Sequence, residues 1–195
     1  MSIKIISLAL CAVFLALWVS TEAQQPTKIP RIGFPLATSP SANAARNEGF
    51  RQGLRELGYL EGKNIIIEWR YAEEKSDRLL ALAAELVPLK VDIIVTGGAS
   101  STRATKDATT TIPIVMAQDP DPVATGVVAS LARPGGNITG LSTYAPGLSG
   151  KRLEILKETV PRFSRVAVFG TSTFPGNAQN LQEVERAAAA LKVKV

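Results

Sequence analysis

The sequence predicts an α/β fold in which parallel strands alternate with helices. Short runs rich in isoleucine and valine, such as residues 91–95, are typical of strands buried on both faces of a parallel sheet. Leucine and alanine recur at helical spacing between these runs. Because strand and helix patterns alternate four times, the sequence predicts a parallel sheet with right-handed crossovers.

The first strand is predicted at residues 29–36, with a helix after it. Ser39 is expected to be the N-cap of this helix and Pro40 its first residue, and Gly58 ends it. The side chains expected to face the core are Ala45, Phe50, Leu54 and Leu57.

The next strand is predicted at residues 64–71, where Ile65, Ile67 and Trp69 alternate with more polar neighbours. Ser76 or Asp77 is expected to cap the helix that follows. The buried stripe of that helix is predicted to be Leu79, Leu82, Ala83 and Leu86.

Two further strands are predicted at residues 91–95 and 112–117. A helix between them ends near Thr109, and another helix is expected at residues 123–131.

The stretch 119–144 is predicted to lead from one lobe into another. Residues 24–135 form the first α/β lobe, residues 136–147 the hinge crossing and residues 148–195 an incomplete second lobe. That second lobe is expected to contain a helix at 148–159, a strand at 165–169, a helix at 178–191 and the start of a strand at 192–195. In its first helix, Leu153, Leu156 and Val160 are expected to face one side. Because two strands and two helices bury little apolar surface, we expect this lobe to be truncated.

The N-terminus is predicted to be a secretory signal peptide at residues 1–23. Lys4 supplies a positive charge, an apolar run follows at 5–19, and small residues allow cleavage after Ala23. A retained membrane anchor is the alternative, but the apolar run is shorter than the roughly 20 residues that a membrane span needs. The predicted location is therefore the periplasm.

Composition argues against several classes of protein. The chain has no histidine and its one cysteine, Cys11, lies within the predicted signal peptide. The mature chain therefore lacks the side chains for Ser-His or Cys-His catalysis and for the usual zinc sites. The net charge is +5, but the basic residues are scattered, so nucleic acid is not expected as a partner. We predict no enzyme activity, no cofactor and no metal.

Candidate ligand contacts lie in loops after predicted strands, where open parallel sheets bind ligands. One loop carries Thr38 and Ser39 after the first strand. Another carries Gly97, Gly98 and a run of hydroxyl residues that includes Ser100 and Ser101. Glycine lets the backbone approach a ligand, and amides at a helix N-terminus favour a carboxylate or phosphate. The same residues could instead simply cap the helix.

Asp119 and Asp121 flank Pro120 at the end of the fourth predicted strand. The two carboxylates could perform acid/base chemistry, bind an ammonium group or a metal, or cap a helix. Asp119 is the predicted ligand contact, with Pro120 beside it, because it stands at the strand end. Tyr144 follows the hinge strand, where its ring could close over a bound molecule.

Several runs of residues resemble one family. They are the segments 50–59 and 61–65, Arg78 and Leu79 followed by 83–87, and the segments 111–115 and 121–123. The most specific run is 130–140, which reads SLARPGGNITG. This pattern is similar to the tryptophan/tyrosine-type substrate-binding proteins of ABC transporters.

The resemblance implies a two-lobed, periplasmic-binding-protein-like fold of the first type. Such a protein is expected to act as a monomer, to close on a small molecule, with an aromatic amino acid favoured, and to deliver it to a membrane permease. By resemblance, Ala99, Ser100 and Ser101 would hold a ligand carboxylate, Asp119 would face an ammonium group, and Asn177 would contact the ligand from the second lobe.

Two alternatives remain open from the sequence. One is the ligand-sensing ectodomain of a signalling protein with the same fold. The other is an exported α/β enzyme that uses the Asp119/Asp121 pair or Ser172.

Overall fold

The computed structural model describes residues 28–143, 145–170 and 177–195. The predicted signal peptide at residues 1–23, Tyr144 and Ser172 therefore lie outside the described residues. The strands are β1 (Arg31–Leu36), β2 (Ile66–Tyr71), β3 (Ile93–Thr96), β4 (Ile114–Asp119) and β5 (Ile138–Ser142). The helices are α1 (Ala44–Glu56), α2 (Leu79–Leu86), α3 (Ala99–Ala108), α4 (Ala145–Thr159) and α5 (Asn177–Leu191).

The five strands form one parallel sheet in the order β2-β1-β3-β4-β5. The predicted parallel α/β architecture is confirmed. The order reverses at β1, since β2 lies on one side of it and β3 on the other. The loops after β1 and β3 therefore leave the sheet in opposite directions and open a crevice between them.

Helices pack on both faces of the sheet. Phe50 and Leu54 of α1 pack on one face, against a cluster that includes Ile32 and Phe34. Leu86 of α2 packs on the other face. A Cβ atom on Gly33 would lie 2.8 Å from Leu86 Cδ1, so glycine allows α2 to approach β1 closely.

The predicted buried stripe of α2 is confirmed, since Leu79, Leu82, Ala83 and Leu86 are all buried. The capping prediction there is wrong. Residues Ser76–Arg78 form a short 3-10 helix, and neither Ser76 nor Asp77 makes a side-chain cap hydrogen bond. The strands before residue 120 each begin two residues later than predicted, because the first apolar residue of each run precedes the paired ladder.

The predicted start of α1 is also wrong. The Ser39 hydroxyl oxygen accepts a 3.3 Å hydrogen bond from the Ala42 amide and so closes a turn ahead of the helix. The helix consequently begins at Ala44 rather than at Pro40. Ala45 and Leu57 are exposed, contrary to prediction. Phe50 and Leu54 are partly buried against the core, as predicted, and the fully covered side chains beside them are Asn43 and Asn47.

Residues 123–131 form turns rather than the predicted helix. The amides of Val127 and Val128 both donate to the Pro122 carbonyl, and Gly126 has a φ of 70°. That backbone turns the two valines into a core cluster with Met116, where they are buried. The turn therefore buries the two valine side chains that one face of a helix would otherwise have carried into the core.

β5 lies at the edge of the same sheet, against β4. Gly140 of β5 has a φ of 140°, and a Cβ atom there would lie 2.2 Å from the Met116 carbonyl oxygen. Only glycine fits such an approach. The division into lobes around this strand stays a prediction.

α4 and α5 confirm the two helices predicted after residue 144, and they pack on each other. Leu153, Ala188 and Val193 form their core. Leu156 and Val160, predicted on the same side as Leu153, are exposed. The strand predicted at 165–169 is wrong, because its pairing is limited to a bridge between Arg165 and Lys194. Among the described residues, no helix is long and apolar enough to cross a membrane.

Candidate functional site

The crevice at the carboxyl edge of β1, β3 and β4 gathers the first-lobe residues predicted to contact a ligand. Thr38 and Ser39 follow β1, Ala99 opens the helix after β3, and Asp119 ends β4. Adjacent strands lie about 4.8 Å apart, so groups at these strand ends can reach one small molecule. Their roles as ligand contacts remain predictions.

The N-terminus of α3 presents free backbone amides. The N-cap residue is Gly98, whose φ of 148° only glycine adopts readily. Because glycine has no side chain, it cannot cap the helix with one. The first intrahelical bond is donated by Thr102 N–H to Gly98 O at 3.0 Å. The amides of Ala99, Ser100 and Ser101 therefore have no partner within the helix and favour an anion. The alternative that a hydroxyl side chain caps α3 is wrong.

A buried pair of hydroxyls lies beneath this helix end. Thr96 and Thr102 are fully buried, with 2.9 Å between their Oγ1 atoms. The Thr102 hydroxyl is also 2.9 Å from Gly98 O, to which it donates. These contacts fix the last residue of β3 to the first turn of α3.

Asp119 is fully buried, and its two carboxylate oxygens differ. Oδ1 accepts a 3.2 Å hydrogen bond from the Asp121 amide. Oδ2 is buried without a hydrogen-bond partner among the described residues. Burial raises the pKa of Asp119, and the hydrogen bond from the Asp121 amide only partly opposes that shift. An unpartnered buried carboxylate oxygen is costly, which identifies this position as a place where a cationic donor would be stabilised.

Asp121 has a different role. Its Oδ1 accepts a 3.0 Å hydrogen bond from the Ala124 amide, and its carbonyl accepts one from the Thr125 hydroxyl at 2.9 Å. Asp121 therefore stabilises the turn after β4. The alternative that an aspartate caps a helix at 123–131 is wrong, because these residues form no helix. Pro120, between the two aspartates, is partly buried.

The loop after β1 is held by its neighbours. Thr38 Oγ1 accepts a hydrogen bond from the Asn43 side-chain amide. The Ser39 amide donates to Glu74 Oε1 at 3.3 Å, which ties this loop to the one after β2. The Ser39 hydroxyl lies 3.1 Å from that of Ser41.

Asn43, Asn47 and Tyr71 lie at the same edge and were missed from the sequence. Both asparagines are 5% exposed, and Asn47 Nδ2 donates to Tyr71 OH at 3.0 Å. The available signal was the spacing Asn43, Asn47, Phe50 and Leu54, which places two amides in an otherwise apolar helical stripe.

Asn177 lies elsewhere, at the first residue of α5. A Cβ atom on Gly170 would lie 3.1 Å from Asn177 Nδ2. With Arg152 and Phe169, Asn177 lines a cleft of about 610 Å³. Its predicted contact with a ligand therefore remains a prediction, as does that of Tyr144.

The arrangement at this edge of the sheet is suited to binding a zwitterion. A buried carboxylate at the end of β4 complements an ammonium group, and free amides after the adjacent β3 complement a carboxylate. Within the described ranges, no group of three potential ligands from His, Cys, Asp or Glu could hold a metal ion.

Comparisons with known proteins agree with this fold. The family model for ABC transporter substrate binding proteins matches residues 36–195. A tyrosine-binding protein of Clostridioides difficile strain R20291 is 35% identical over 133 residues, which cover 68% of this chain and 38% of that protein.

Solved structures show the same fold. A conserved domain protein from Vibrio cholerae superimposes with a TM-score of 0.79 at 27% identity, covering 86% of this chain and 56% of the other. An ABC domain from Streptococcus pneumoniae in complex with L-Trp has a TM-score of 0.77 at 23% identity, covering 85% and 55%. The chain thus spans roughly 38% to 56% of the length of these proteins. The chain belongs to the ABC transporter substrate binding protein family.

Proposed function

We propose that this chain is the exported solute-binding component of an ABC transporter. It captures an amino acid, with an aromatic one favoured, and delivers it to a membrane permease from the periplasm, acting as a monomer. Asp119 receives the ligand ammonium group, and the amides of Ala99, Ser100 and Ser101 receive the carboxylate. Thr38, Ser39, Pro120, Tyr144 and Asn177 complete the set of contacts.

The observation that carries this proposal is the unpartnered Oδ2 of Asp119, fully buried at the ligand edge. A ligand ammonium group supplies the missing donor. The uncapped N-terminus of α3, one strand away, favours a negatively charged group such as the ligand carboxylate. The tyrosine-binding relative, at 35% identity, supports an aromatic amino acid as the ligand.

Conformational closure gives such a protein its transport role. A ligand that contacts both lobes favours the closed state, because it binds that state more tightly than the open one. The permease then receives the closed form.

The enzyme alternative is less well supported by this geometry. Acid/base chemistry by an aspartate pair needs both carboxylates free to exchange protons with a substrate. Asp121 instead accepts hydrogen bonds within its own turn.

The test is ligand binding by the 195-residue chain and by Asp119→Asn, measured by ligand-observed NMR with L-tyrosine, L-tryptophan, L-phenylalanine and L-leucine. Asp119→Asn should weaken binding about 10- to 100-fold, because a charge-assisted hydrogen bond is lost. Asp107→Asn is the matched control, since Asp107 is exposed on α3 and should leave binding unchanged. The proposal is wrong if the wild-type chain binds none of these amino acids.

A further inference from the structure

The carboxyl end of β2 carries Tyr71, an aromatic residue that is not among the proposed ligand contacts. Tyr71 is the last residue of β2 and pairs in register with Leu36 of β1, directly before the loop with Thr38. It is partly buried. β2 lies two strand positions from β3, which at about 4.8 Å per strand is about 10 Å. That span is comparable with the length of an aromatic amino acid.

Tyr71 is the end of a row of rings. The Phe34 and Trp69 rings are stacked with their centroids 5.0 Å apart, and Trp69 stacks on Tyr71 at 6.3 Å with an interplanar angle of 10°. The row follows the α1 face of the sheet toward its carboxyl edge. A planar group bound at that edge would continue the stacking.

The base of this row is held rigidly. The Trp69 indole N–H donates to Glu61 Oε1 at 2.9 Å, and the Arg51 guanidinium carbon lies 4.8 Å from the Trp69 ring centroid. A fixed Trp69 gives Tyr71 a fixed plane to stack on.

Asn47 holds the other end of the row. The buried face of α1 is apolar at Phe50 and Leu54 but becomes amide at Asn47, next to the carboxyl edge. A buried amide is unfavourable without a hydrogen bond, and Asn47 Nδ2 makes one to Tyr71 OH at 3.0 Å. Because Tyr71 OH accepts this bond, its own proton remains available for another acceptor.

The backbone after Tyr71 is unusual as well. Glu73 and Glu74 have φ values of 52° and 64°, in the left-handed region that glutamate seldom adopts. Their loop is bonded to the loop after β1, since the Glu74 amide donates to Ala37 O at 2.9 Å. Strained segments of this kind concentrate at ligand sites.

We propose that Tyr71, oriented by Asn47, forms the wall of the site against which a planar ligand side chain stacks. This inference rests on the proposed function, because it assumes an amino acid anchored near β3 and β4. Tyr71 sets the preference for aromatic over aliphatic ligands, and Asn47 is a positioning residue that fixes the ring.

The experiment compares dissociation constants for L-phenylalanine, L-tyrosine and L-leucine by ligand-observed NMR on the 195-residue chain. Tyr71→Leu should weaken binding of the two aromatic amino acids about tenfold and leave L-leucine within about twofold of wild type. Tyr71→Phe keeps the ring and should keep the preference for L-phenylalanine. Asn47→Leu should lower the preference by a smaller factor than Tyr71→Leu.

Tyr59→Leu is the matched control, because Tyr59 is 41% exposed beyond the C-terminal end of α1. Circular dichroism melting of each variant separates lost folding from lost selectivity. If Tyr71→Leu binds but retains the wild-type ratio of L-phenylalanine to L-leucine affinity, the role of Tyr71 is overturned while the proposed function stands. Equal weakening for all three amino acids, as expected for Asp119→Asn, would likewise contradict a role in selectivity.

Discussion

The sheet region at residues 28–143 and the helical region after residue 144 use apolar side chains differently. In the sheet region, Ile94 and Ile114 are fully buried between helices or turns and neighbouring strands. In the helical region, the buried core is Leu153, Ala188 and Val193, while Phe169 is 95% exposed. A parallel sheet can bury residues on two faces, whereas two helices packed together bury one stripe each. We therefore expect mutations to have larger effects in the sheet region.

The largest effect should come from truncating a buried sheet residue. Ile94→Ala should lower the free energy of unfolding by about 2–5 kcal/mol, because it leaves a cavity between packed elements. Ile155→Ala is the control in α4, where Ile155 is 52% exposed, and should change it by less than about 0.5 kcal/mol. Urea denaturation followed by circular dichroism measures both. Equal losses would contradict the difference in burial between Ile94 and Ile155.

Alanine substitutions at one glycine in each region should change the free energy of unfolding in opposite directions. Gly140→Ala should destabilise the protein by about 1–3 kcal/mol, because its φ is 140° and the new Cβ atom meets the Met116 backbone. In α4, Gly150→Ala should stabilise by about 0.5–1 kcal/mol, because alanine favours helix and the new Cβ atom lies 3.4 Å from Ala187 Cβ.

Thermal unfolding of the two glycine variants gives the sign of each effect. Destabilisation by Gly150→Ala would mean that α4 and α5 are packed too tightly to accept one methyl group.

Within the sheet region, the ionised carboxylate of Asp119 should lower the free energy of unfolding. Its raised pKa means that the folded state binds a proton more tightly than the unfolded state. The free energy of unfolding therefore falls as pH rises from about 4, the ordinary pKa of aspartate, through the raised value. Asp119→Asn should remove this decline and stabilise the protein by about 1–2 kcal/mol at neutral pH.

Urea denaturation at several pH values tests this, with Asp107→Asn as the exposed control. A stability difference between wild type and Asp119→Asn that does not grow with pH would contradict an uncompensated buried carboxylate.

The smallest effect is expected in the helical region. Phe169→Ser should change the free energy of unfolding by less than about 0.5 kcal/mol, since the ring is 95% exposed. It should also reduce any concentration-dependent association, because an exposed aromatic ring favours contact with other molecules. Size-exclusion chromatography at several concentrations measures the second effect.

Most of the fold could be predicted from the sequence. Isoleucine-rich runs located the first four strands within two residues, and the Leu79, Leu82, Ala83 and Leu86 stripe located α2, since both patterns follow from local periodicity. The misplaced elements were those decided by competing local bonds. Ser39 closes a turn ahead of α1, and Gly126 turns residues that had a helical pattern.

The candidate site was only partly predictable. Asp119 was chosen because it stands at a strand end. The structure places it there, fully buried, and its contact with a ligand stays a prediction. Asn43 and Asn47 were missed because amides on a helix are usually exposed. Their burial depends on how α1 packs against the sheet, which their spacing along the helix does not determine by itself.

Periodicity and turn residues act over a few positions, so the class of fold and the order of the elements could be predicted without the structure. Residue runs such as 130–140 carried the family resemblance. Tertiary structure decided which loops meet. Parallel pairing brings residues 38, 71, 99 and 119 to one edge, and the strand order, with β1 between β2 and β3, decides which of them are neighbours. It also decided that Asp119 Oδ2 is buried without a partner among the described residues, since burial depends on contacts far apart in the chain.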